Sequence, residues 1–321
     1  MVLHRYWLHL STLVLGLASP SWASFENTGV IRSVDLGGSL VYTTTTYNVK
    51  ALEDGSNVYL FSLTEKEQET TSWMEAKVKG HTAPLSLENH GLSHEYALDL
   101  MLFAWWCTVA EVAIYSATYY YSVALPKALD KDQTATLVLE TVQAHSAYPF
   151  PPEAAQDDPQ ALKYDTELFV LSPYKTLTQR IKFKSVNGFE SSDDTGTHAS
   201  FTPSTVGSPV LSYTQPKEVA FTTGSIATRS NSGVTVTYGP FSDLPPSSNT
   251  DFAEKHQQRI SIHYEFRFPV LAIRSLRRAA EISHWGANLN IQDEIDLYNA
   301  GPKRVFDVLW LFGELTGSSD L

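Results

Sequence analysis

The sequence predicts an all-β protein with two β-sandwich-like domains, the second of them incomplete. Three observations indicate this fold class. Aromatic residues make up 12% of the chain and charged residues only 18%, and together with the many Thr and Ser residues this composition favours strands over helical bundles. Short strand-like segments recur and are separated by Pro, Gly and Ser. One segment, RISIHYEFRF, alternates apolar and polar residues strictly, which is typical of a strand with one buried face.

The strand signals follow one another along the chain. GVIRSVDL alternates near the start, and SLVYTTTTYNVKAL is rich in Thr, Tyr and Val. A turn at Glu53–Ser56 separates the latter from NVYLFSL. The remaining strand-like segments are TSWMEAKVKG, ATLVLETVQA, ELFVLS, QRIKFKSV and GVTVTYG. Short strands at this spacing, with turn signals between them, predict a sandwich.

A stretch rich in Gly, Pro and Ser, residues 238–252, predicts a domain boundary. We therefore assign residues 24–240 to the first β domain and 241–321 to a partial second one. About 70 residues remain after Asp251, which is few for an independent sandwich. We expect the second domain to be cut short and its strand Ile260–Phe268 to expose an unpaired edge.

The first residues predict a secretory signal peptide, residues 1–23. His4 and Arg5 precede an apolar stretch from Leu8 to Leu17, and small residues suit cleavage between Ala23 and Ser24. The apolar stretch is shorter than the ~20 residues that cross a bilayer, which disfavours a membrane anchor. Both β domains are then expected in the lumen of the endoplasmic reticulum or beyond it.

Charge and cysteine content exclude several classes of protein. The net charge of −12 argues against nucleic acid as a partner. The only basic cluster, Arg274, Arg277 and Arg278, is expected on an exposed loop or strand edge. Cys107 is the only cysteine, so neither an intrachain disulfide nor a zinc site built from cysteine pairs can form.

One nearly continuous apolar segment, Leu98–Tyr121, breaks the strand pattern. By length it could form a transmembrane helix, but Glu111 in mid-span would cost ~2.5–3.5 kcal/mol on insertion scales. A buried pair of strands is the second interpretation. Both remain open on the sequence alone.

The segment EISHWGANLNIQDEID raises the possibility of an active site, with His284 as a base and Asp293, Glu294 or Asp296 as partners. A histidine next to Trp-Gly at a strand end is more often a packed or capping residue. We therefore predict that the four residues of SHWG form a structural corner, with a turn at the glycine. These residues are Ser283, His284, Trp285 and Gly286.

No other cluster predicts catalysis or a cofactor. His90 and His94 have the spacing of a metal pair on a helix, and His81 is nearby, but Gly91 interrupts the helix and the glutamate of H-E-x-x-H is missing. Neither a G-x-S-x-G elbow nor a phosphate-binding loop is present. We predict no catalytic residue, cofactor or metal in this chain.

Five blocks of the sequence share the pattern of one known family. They are FENTGVIRSVDLGGSLVYTTTTYNVKAL, SVALPKALDKDQTATLVLETVQAHSAYPFP, LFVLSPYKTLTQRIKFKS, VTVTYGPFSDLPP and ISIHYEFRFPVLAIRSLRRAAEISHWGANLNIQDEIDLYNAGPK. In this order they resemble the ribophorin I family in its fungal form. The most specific motifs are EISHWG and YGPF, the latter formed by Tyr238, Gly239, Pro240 and Phe241.

The resemblance implies a noncatalytic subunit of the oligosaccharyltransferase complex. That complex transfers a preassembled glycan from dolichyl diphosphate to Asn of Asn-x-Ser/Thr in nascent polypeptides. The implied partners are the catalytic subunit, which holds the divalent metal, the other subunits and the nascent chains. The implied location is the lumenal side of the endoplasmic reticulum membrane, with a single-pass type I anchor in the family that this chain lacks.

Two segments depart from the family pattern, residues 98–118 and the tail 304–321. We interpret both as atypical and the chain as truncated. A secreted β-sandwich module that binds carbohydrate or peptide is the alternative function, because the chain lacks an evident anchor.

Overall fold

The computed structural model describes residues 24–92, 118–185, 189–191, 201–203, 209–222, 224–247, 250–286 and 288–305. The strands are, in chain order, β1 (Phe25–Leu36), β2 (Leu40–Ala51), β3 (Ser56–Thr64), β4 (Thr71–Val78), β5 (Leu87–Leu92), β6 (Thr118–Leu129), β7 (Thr134–Ala144), β8 (Ala147–Pro149), β9 (Glu153–Ala155), β10 (Ala161–Glu167), β11 (Thr176–Ser185), β12 (Phe189–Ser191), β13 (Phe201–Pro203), β14 (Val210–Tyr213), β15 (Ala227–Arg229), β16 (Thr235–Leu244), β17 (Arg259–Glu265), β18 (Leu271–Ile282), β19 (Leu289–Asn299) and β20 (Lys303–Val305). The helices are α1 (Glu65–Thr70) and α2 (Thr250–His256).

The largest sheet has seven strands in the order β15-β16-β11-β1-β2-β7-β4. Its pairs are antiparallel except β1 with β11, which run parallel. Two smaller sheets, β3-β6-β5 and β14-β17-β10-β8, form a second layer. Both contribute to one hydrophobic core with the large sheet. The molecule is therefore a β-sandwich, and the predicted all-β class is confirmed.

Strict alternation in the sequence produces the buried face of each layer. In β2, every second residue from Val41 to Ala51 is buried, and the residues that alternate with them are partly exposed. Aromatic rings join the layers, since the Tyr47 ring lies 5.2 Å from that of Phe61 on β3. Because each large aromatic side chain removes about 150–250 Å² from water, such contacts dominate the stabilisation of the core.

A buried polar network fixes the start of β1 within this core. Asn27 is fully buried, and its amide donates to Ser172 Oγ (2.8 Å) and Thr176 Oγ1 (3.2 Å). Its Oδ1 accepts a hydrogen bond from the Tyr59 hydroxyl (2.8 Å). Both polar atoms of the Asn27 side chain are thus satisfied, through three hydrogen bonds, as burial of an amide requires.

Described residues between 241 and 270 belong to the same sandwich as the preceding chain. The boundary predicted at 240/241 lies inside β16, and Phe241 and Phe252 are buried in the common core. The core extends as far as Val270. The division of the chain into two domains stays a prediction, but a cut at this position would break a strand of the seven-stranded sheet.

The expectation of an exposed edge at Ile260–Phe268 was wrong. Strand β17 pairs with β10 on one side and with β14 on the other. Ile260, Ile262 and Tyr264 are buried as the alternation predicts, whereas Phe268 lies beyond the strand and is exposed. The sequence period identifies which face of a strand is buried, but it contains no information about which strands lie beside it.

Two sequence predictions fall wholly or largely outside the described residues. The signal peptide, with Ala23 at its predicted cleavage site, is one of them, although Ser24 is described. The other is the segment Leu98–Tyr121, of which the structure describes only the last four residues. Those four belong to β6, and Tyr120 and Tyr121 are buried there.

Candidate interaction surface

Strands β18 and β19 form a two-stranded hairpin whose side chains are almost all exposed. Residues that lie opposite each other in an antiparallel pair share a face. The register therefore divides the hairpin into two faces, one apolar and one polar. The apolar cross-strand pairs are Ile282 with Leu289, Ala280 with Ile291, Leu276 with Ile295 and Ile273 with Leu297.

We call this side the apolar face, and it includes Leu271 at the base of the hairpin. Its leucine and isoleucine side chains are about half exposed or more, up to 79% for Ile282. The face is about 36 Å long and about 10 Å wide, taking ~3.3 Å per residue and ~4.8 Å per strand. A contiguous apolar patch of a few hundred Å² on a soluble protein is often a binding site.

A single ion pair lies within the apolar face. The Arg278 guanidinium donates to both carboxylate oxygens of Asp293, at 2.6 and 2.7 Å. This bidentate hydrogen bonding lowers the pKa of Asp293 and raises that of Arg278. Each charge is therefore matched by the other, so that a protein could cover the face without leaving either one unpaired.

The opposite face of the hairpin is polar. Arg277 lies opposite Glu294, and Arg274 Nη1 lies 3.5 Å from Asp296 Oδ2. The guanidinium of Arg274 also stacks 5.1 Å from the centre of the Tyr298 ring. A β-bulge between Ile273 and Ser275 accommodates Arg274 on this side. The basic cluster thus lies on an exposed strand, one of the two places predicted for it.

The hairpin is attached to the sandwich at its base. Val270 is buried in the core, and its carbonyl accepts a hydrogen bond from the backbone of Ala300 (2.6 Å). The Ser39 hydroxyl donates to the carbonyl of Leu271. After the hairpin the chain returns to the body, where β20 pairs in parallel with β9.

The SHWG residues form the turn at the far end of the hairpin. Ser283 N donates to Asn288 O (3.0 Å), and Gly286 N donates to Ser283 Oγ (3.2 Å). All four residues of the turn are exposed, and Trp285 is 100% exposed. The turn is present, and nothing in the described structure covers it. A packed or capping role of His284 stays a prediction.

The carboxylates considered as partners for His284 do not approach it as a catalytic group would need. Asp293 is engaged by Arg278, and Asp296 by Arg274. Glu294 lies opposite Arg277 on the polar face. A general base needs an orienting partner and a placed substrate, and the described residues around His284 supply no orienting carboxylate.

The YGPF motif is part of β16 and of the core. Tyr238 and Phe241 are fully buried, and the Tyr238 hydroxyl donates to Thr214 O (2.8 Å). Gly239 has φ +88° and precedes the exposed Pro240 through a cis peptide bond. A Cβ at Gly239 would lie 2.9 Å from Gln179 O, so only glycine fits this bulge. A specific role for the motif stays a prediction.

The histidines do not form a metal site in the described part of the chain. His90 lies on strand β5, not on a helix, and its Nε2 is 2.8 Å from Ser122 Oγ. His94 lies outside the described residues. Across the described ranges, no group of three or more His, Cys, Asp or Glu side chains could hold a metal ion.

A polar cluster that the sequence did not reveal lies beneath helix α1. Arg32 on β1 is buried and forms an ion pair with Glu67 of the helix. Next to it, Asp165 accepts hydrogen bonds from Tyr148 (2.7 Å), Arg259 (2.5 Å) and Ser261 (2.5 Å). A cavity of about 20 Å³, lined by Glu67 and Asp165 among others, is large enough for roughly one water molecule.

A second, open pocket of about 400 Å³ lies beside the cis-proline. It is lined by Phe221, Thr222, Gly224, Ser225, Pro240 and Ser242. Its lining offers hydroxyl groups and one aromatic ring but no charged side chain. It therefore has no acid, base or nucleophile arranged for a reaction.

Together, these features define a class of protein: a β-sandwich with a projecting amphipathic hairpin whose exposed apolar face is suited to contact other polypeptide. Among the described residues, no helix is both long and apolar enough to cross a bilayer.

Comparison with known proteins gives the family. The family model for Ribophorin I matches residues 25–305, and the chain belongs to that family. The match includes the sandwich and the whole hairpin.

The chain is also similar to curated proteins from plants and a nematode. It is 28% identical over 186 residues to dolichyl-diphosphooligosaccharide–protein glycosyltransferase subunit 1B of Arabidopsis thaliana. The aligned region covers 58% of this chain and 32% of that protein. It is 21% identical over 279 residues to subunit 1 of Caenorhabditis elegans, covering 87% and 37%. The chain thus spans about a third of the length of these relatives.

Among solved structures, the chain is similar to leukotriene A4 hydrolase from Saccharomyces cerevisiae. The TM-score is 0.37 at 11% identity, over 81% of this chain and 30% of that chain. With a similarity this low, neither fold nor chemistry can be transferred from the hydrolase.

Proposed function

We propose that this protein is a noncatalytic subunit of an oligosaccharyltransferase complex. The observation that carries the proposal is the match to the Ribophorin I family over residues 25–305, together with relatives named as subunit 1 of dolichyl-diphosphooligosaccharide–protein glycosyltransferase. The reaction of the complex is transfer of a preassembled glycan from dolichyl diphosphate to Asn of Asn-x-Ser/Thr in nascent polypeptides.

The role of this chain is assembly of the complex and presentation of acceptors, not chemistry. The exposed hairpin supports a contact role, because apolar side chains on a protein surface usually mark a place where other protein binds. The absence of an oriented base at His284 is in keeping with that role. The divalent metal of the reaction is assigned to the catalytic partner, and this chain is assigned no cofactor.

The place of action is the lumenal side of the endoplasmic reticulum membrane. The predicted signal peptide supports entry into the lumen. The partners are the catalytic subunit, the remaining subunits and the nascent polypeptides that receive the glycan.

Co-purification tests this function. Tagged protein isolated from detergent-solubilised microsomes is expected to bring down the catalytic subunit of the complex. An unrelated tagged lumenal β-sandwich, expressed at the same level, serves as the control. Consistent absence of the catalytic subunit, or free secretion of the protein into the medium, would overturn the proposal and favour a secreted binding module.

A further inference from the structure

We propose that three basic side chains on β11 dock an acidic segment of a neighbouring subunit, an inference that rests on the proposed membership of the complex. Arg180, Lys182 and Lys184 occupy alternate positions of the strand, and Ile181 and Phe183 between them are buried. All three therefore point away from the core, on the outer face of the seven-stranded sheet. We call them the basic row.

The basic row concentrates unneutralised positive charge on an acidic protein. The chain has a net charge of −12, yet none of the three cations makes an ion pair with a described residue. Among the described strands, the register places one carboxylate next to the row, that of Asp35 beside Lys184. Like charges about 6.7 Å apart repel one another. Carboxylates of a partner would relieve this repulsion.

Hydroxyl side chains flank the basic row on both neighbouring strands. Lys182 lies beside Ser33 of β1 and Thr237 of β16, and Lys184 lies beside Thr235. A hydroxyl group can donate a hydrogen bond to a carboxylate, and these short side chains leave the longer basic ones accessible. The surface thus supplies several hydrogen-bond donors to an anionic partner.

The open pocket of about 400 Å³ continues this surface beyond Arg180. Thr178 precedes Arg180 on the same face and lies opposite Ser242, which lines the pocket together with Phe221 and Pro240. The pocket is large enough for one aromatic or aliphatic side chain of a partner. Large side chains that fill a pocket commonly supply much of the binding energy of an interface. We therefore expect the acidic residues of the partner to lie next to a large apolar one.

The charge pattern favours polypeptide over lipid or nucleic acid. Successive cations of the row are ~6.7 Å apart, which is also the distance between alternate residues of an extended chain. Acidic side chains at alternate positions of one extended segment can therefore meet all three cations. An anionic membrane surface contributes only ~1 kcal/mol per basic side chain and belongs to the cytoplasmic leaflet, whereas this domain is assigned to the lumen. Nucleic acid would be repelled by the net negative charge of the molecule.

Zero-length crosslinking tests the inference. A carbodiimide joins a lysine amine directly to a carboxylate in contact with it, and the reagent is applied to intact microsomes that contain the tagged protein. The protein is then isolated under denaturing conditions, and the crosslinked peptides are identified by mass spectrometry. We expect Lys182 and Lys184 to be joined to Asp or Glu of another subunit of the complex. These crosslinks should be severalfold more abundant than those of Lys127, an exposed lysine of β6 that serves as the matched control.

Two double variants separate a lost contact from misfolding. Lys182→Arg with Lys184→Arg keeps both charges and should retain the crosslinked subunit when the complex is washed at raised ionic strength. Lys182→Glu with Lys184→Glu reverses both charges and should lower the retained fraction severalfold. Its thermal melt should match that of the wild type, because both side chains point away from the core.

The crosslinks of the wild-type protein decide the outcome even if a variant misfolds. Crosslinks only within the chain, to a second copy or to a protein outside the complex, or none at all, would overturn the inference. Equal retention by the two double variants would also overturn it. So would binding of the purified protein to phosphatidylserine vesicles that the Glu variant abolishes, because the row would then serve a membrane. Co-purification of the catalytic subunit with the wild type is measured separately, so that the inference can fail while the proposed function stands.

Discussion

Replacing Glu67 with alanine is expected to lower the free energy of unfolding by about 3–5 kcal/mol, the cost of removing one partner from a buried ion pair. Arg32, its partner on β1, is buried and would lose the one carboxylate that pairs with it among the described residues. Burial alone would lower the pKa of Arg32, but attraction to Glu67 outweighs it and the pKa is raised. In the variant the guanidinium still stays charged, because the intrinsic pKa of arginine lies far above neutral pH, so it cannot relieve the loss by deprotonation.

The same substitution also removes a helix cap. Thr64 and Glu67 form a capping box, in which Glu67 N donates to Thr64 Oγ1 (3.3 Å) and Thr64 N donates to Glu67 Oε2 (3.0 Å). Loss of such a cap costs about 0.5–2 kcal/mol. Helix α1 has only six residues and buries none of its side chains, so it depends on this cap and on the ion pair.

Urea denaturation of the purified protein measures the effect. Glu65→Ala is the matched control, because Glu65 is an exposed acid in the same helical turn, and it should change stability by less than about 0.5 kcal/mol. The double variant Arg32→Met with Glu67→Met should recover most of the loss, since no unpaired charge is then buried. Equal stability of Glu67→Ala and Glu65→Ala would refute the account of this ion pair.

Replacing Asp165 with asparagine is expected to cost about 2 kcal/mol at neutral pH, the size of a hydrogen bond to a charged group. The carboxylate on β10 joins both neighbouring strands of the four-stranded sheet, through Tyr148 on β8 and through Arg259 and Ser261 on β17. Burial would raise the pKa of Asp165, but hydrogen bonds from Ser261, Tyr148 and Arg259 overcome this and lower it below 3.8. Burial and the hydrogen bond to Asp165 raise the pKa of Tyr148 to about 12.

The pH dependence follows from the direction of this shift. Because the pKa is lower in the folded state, the ionised carboxylate contributes stability that is fully present above the unfolded value of 3.8. That contribution is lost as the pH falls through the lowered pKa of the folded state. The difference in stability between wild type and Asp165→Asn should therefore be constant near neutral pH and shrink in acid below about pH 4.

Thermal melts at several pH values check this prediction. The exposed Asp157→Asn is the control, because it removes the same charge from a loop between β9 and β10. Its stability should follow that of the wild type at every pH. A difference for Asp165→Asn that grows in acid would mean that the carboxylate is not stabilised by its hydrogen bonds as described.

The sequence indicated which residues are buried more reliably than it indicated their neighbours. The alternation Ile260, Ile262, Tyr264 predicted the buried face of β17 correctly. The placement of β17 between β10 and β14 depends on pairing between residues about 50 to 100 positions apart, and a local pattern contains no information on such pairing. The prediction of an exposed edge failed for that reason.

For the polar cluster, too, the sequence indicated the position of single residues but not the contacts between them. Arg32 alternates with Val30 and Val34, so that the period alone places it on the buried face of β1. The capping box at Thr64 and Glu67 is also visible as Thr-x-x-Glu. The sequence thus held signals for both partners, but not for their contact. The cluster at Asp165 has no local signal, because its donors come from separate strands that meet only in the folded sheet.

The most direct test of the account uses the complex that contains the His284→Ala variant. Its glycan-transfer activity shows whether this chain contributes contacts to the complex or a reacting group. The variant changes an exposed residue in the turn of the hairpin and should assemble like the wild type. Glycan transfer to an acceptor peptide, measured on purified complex with equal amounts of catalytic subunit, is expected to proceed at the wild-type rate. Loss of transfer in a fully assembled complex would contradict the account, because it would assign a reacting group to this subunit.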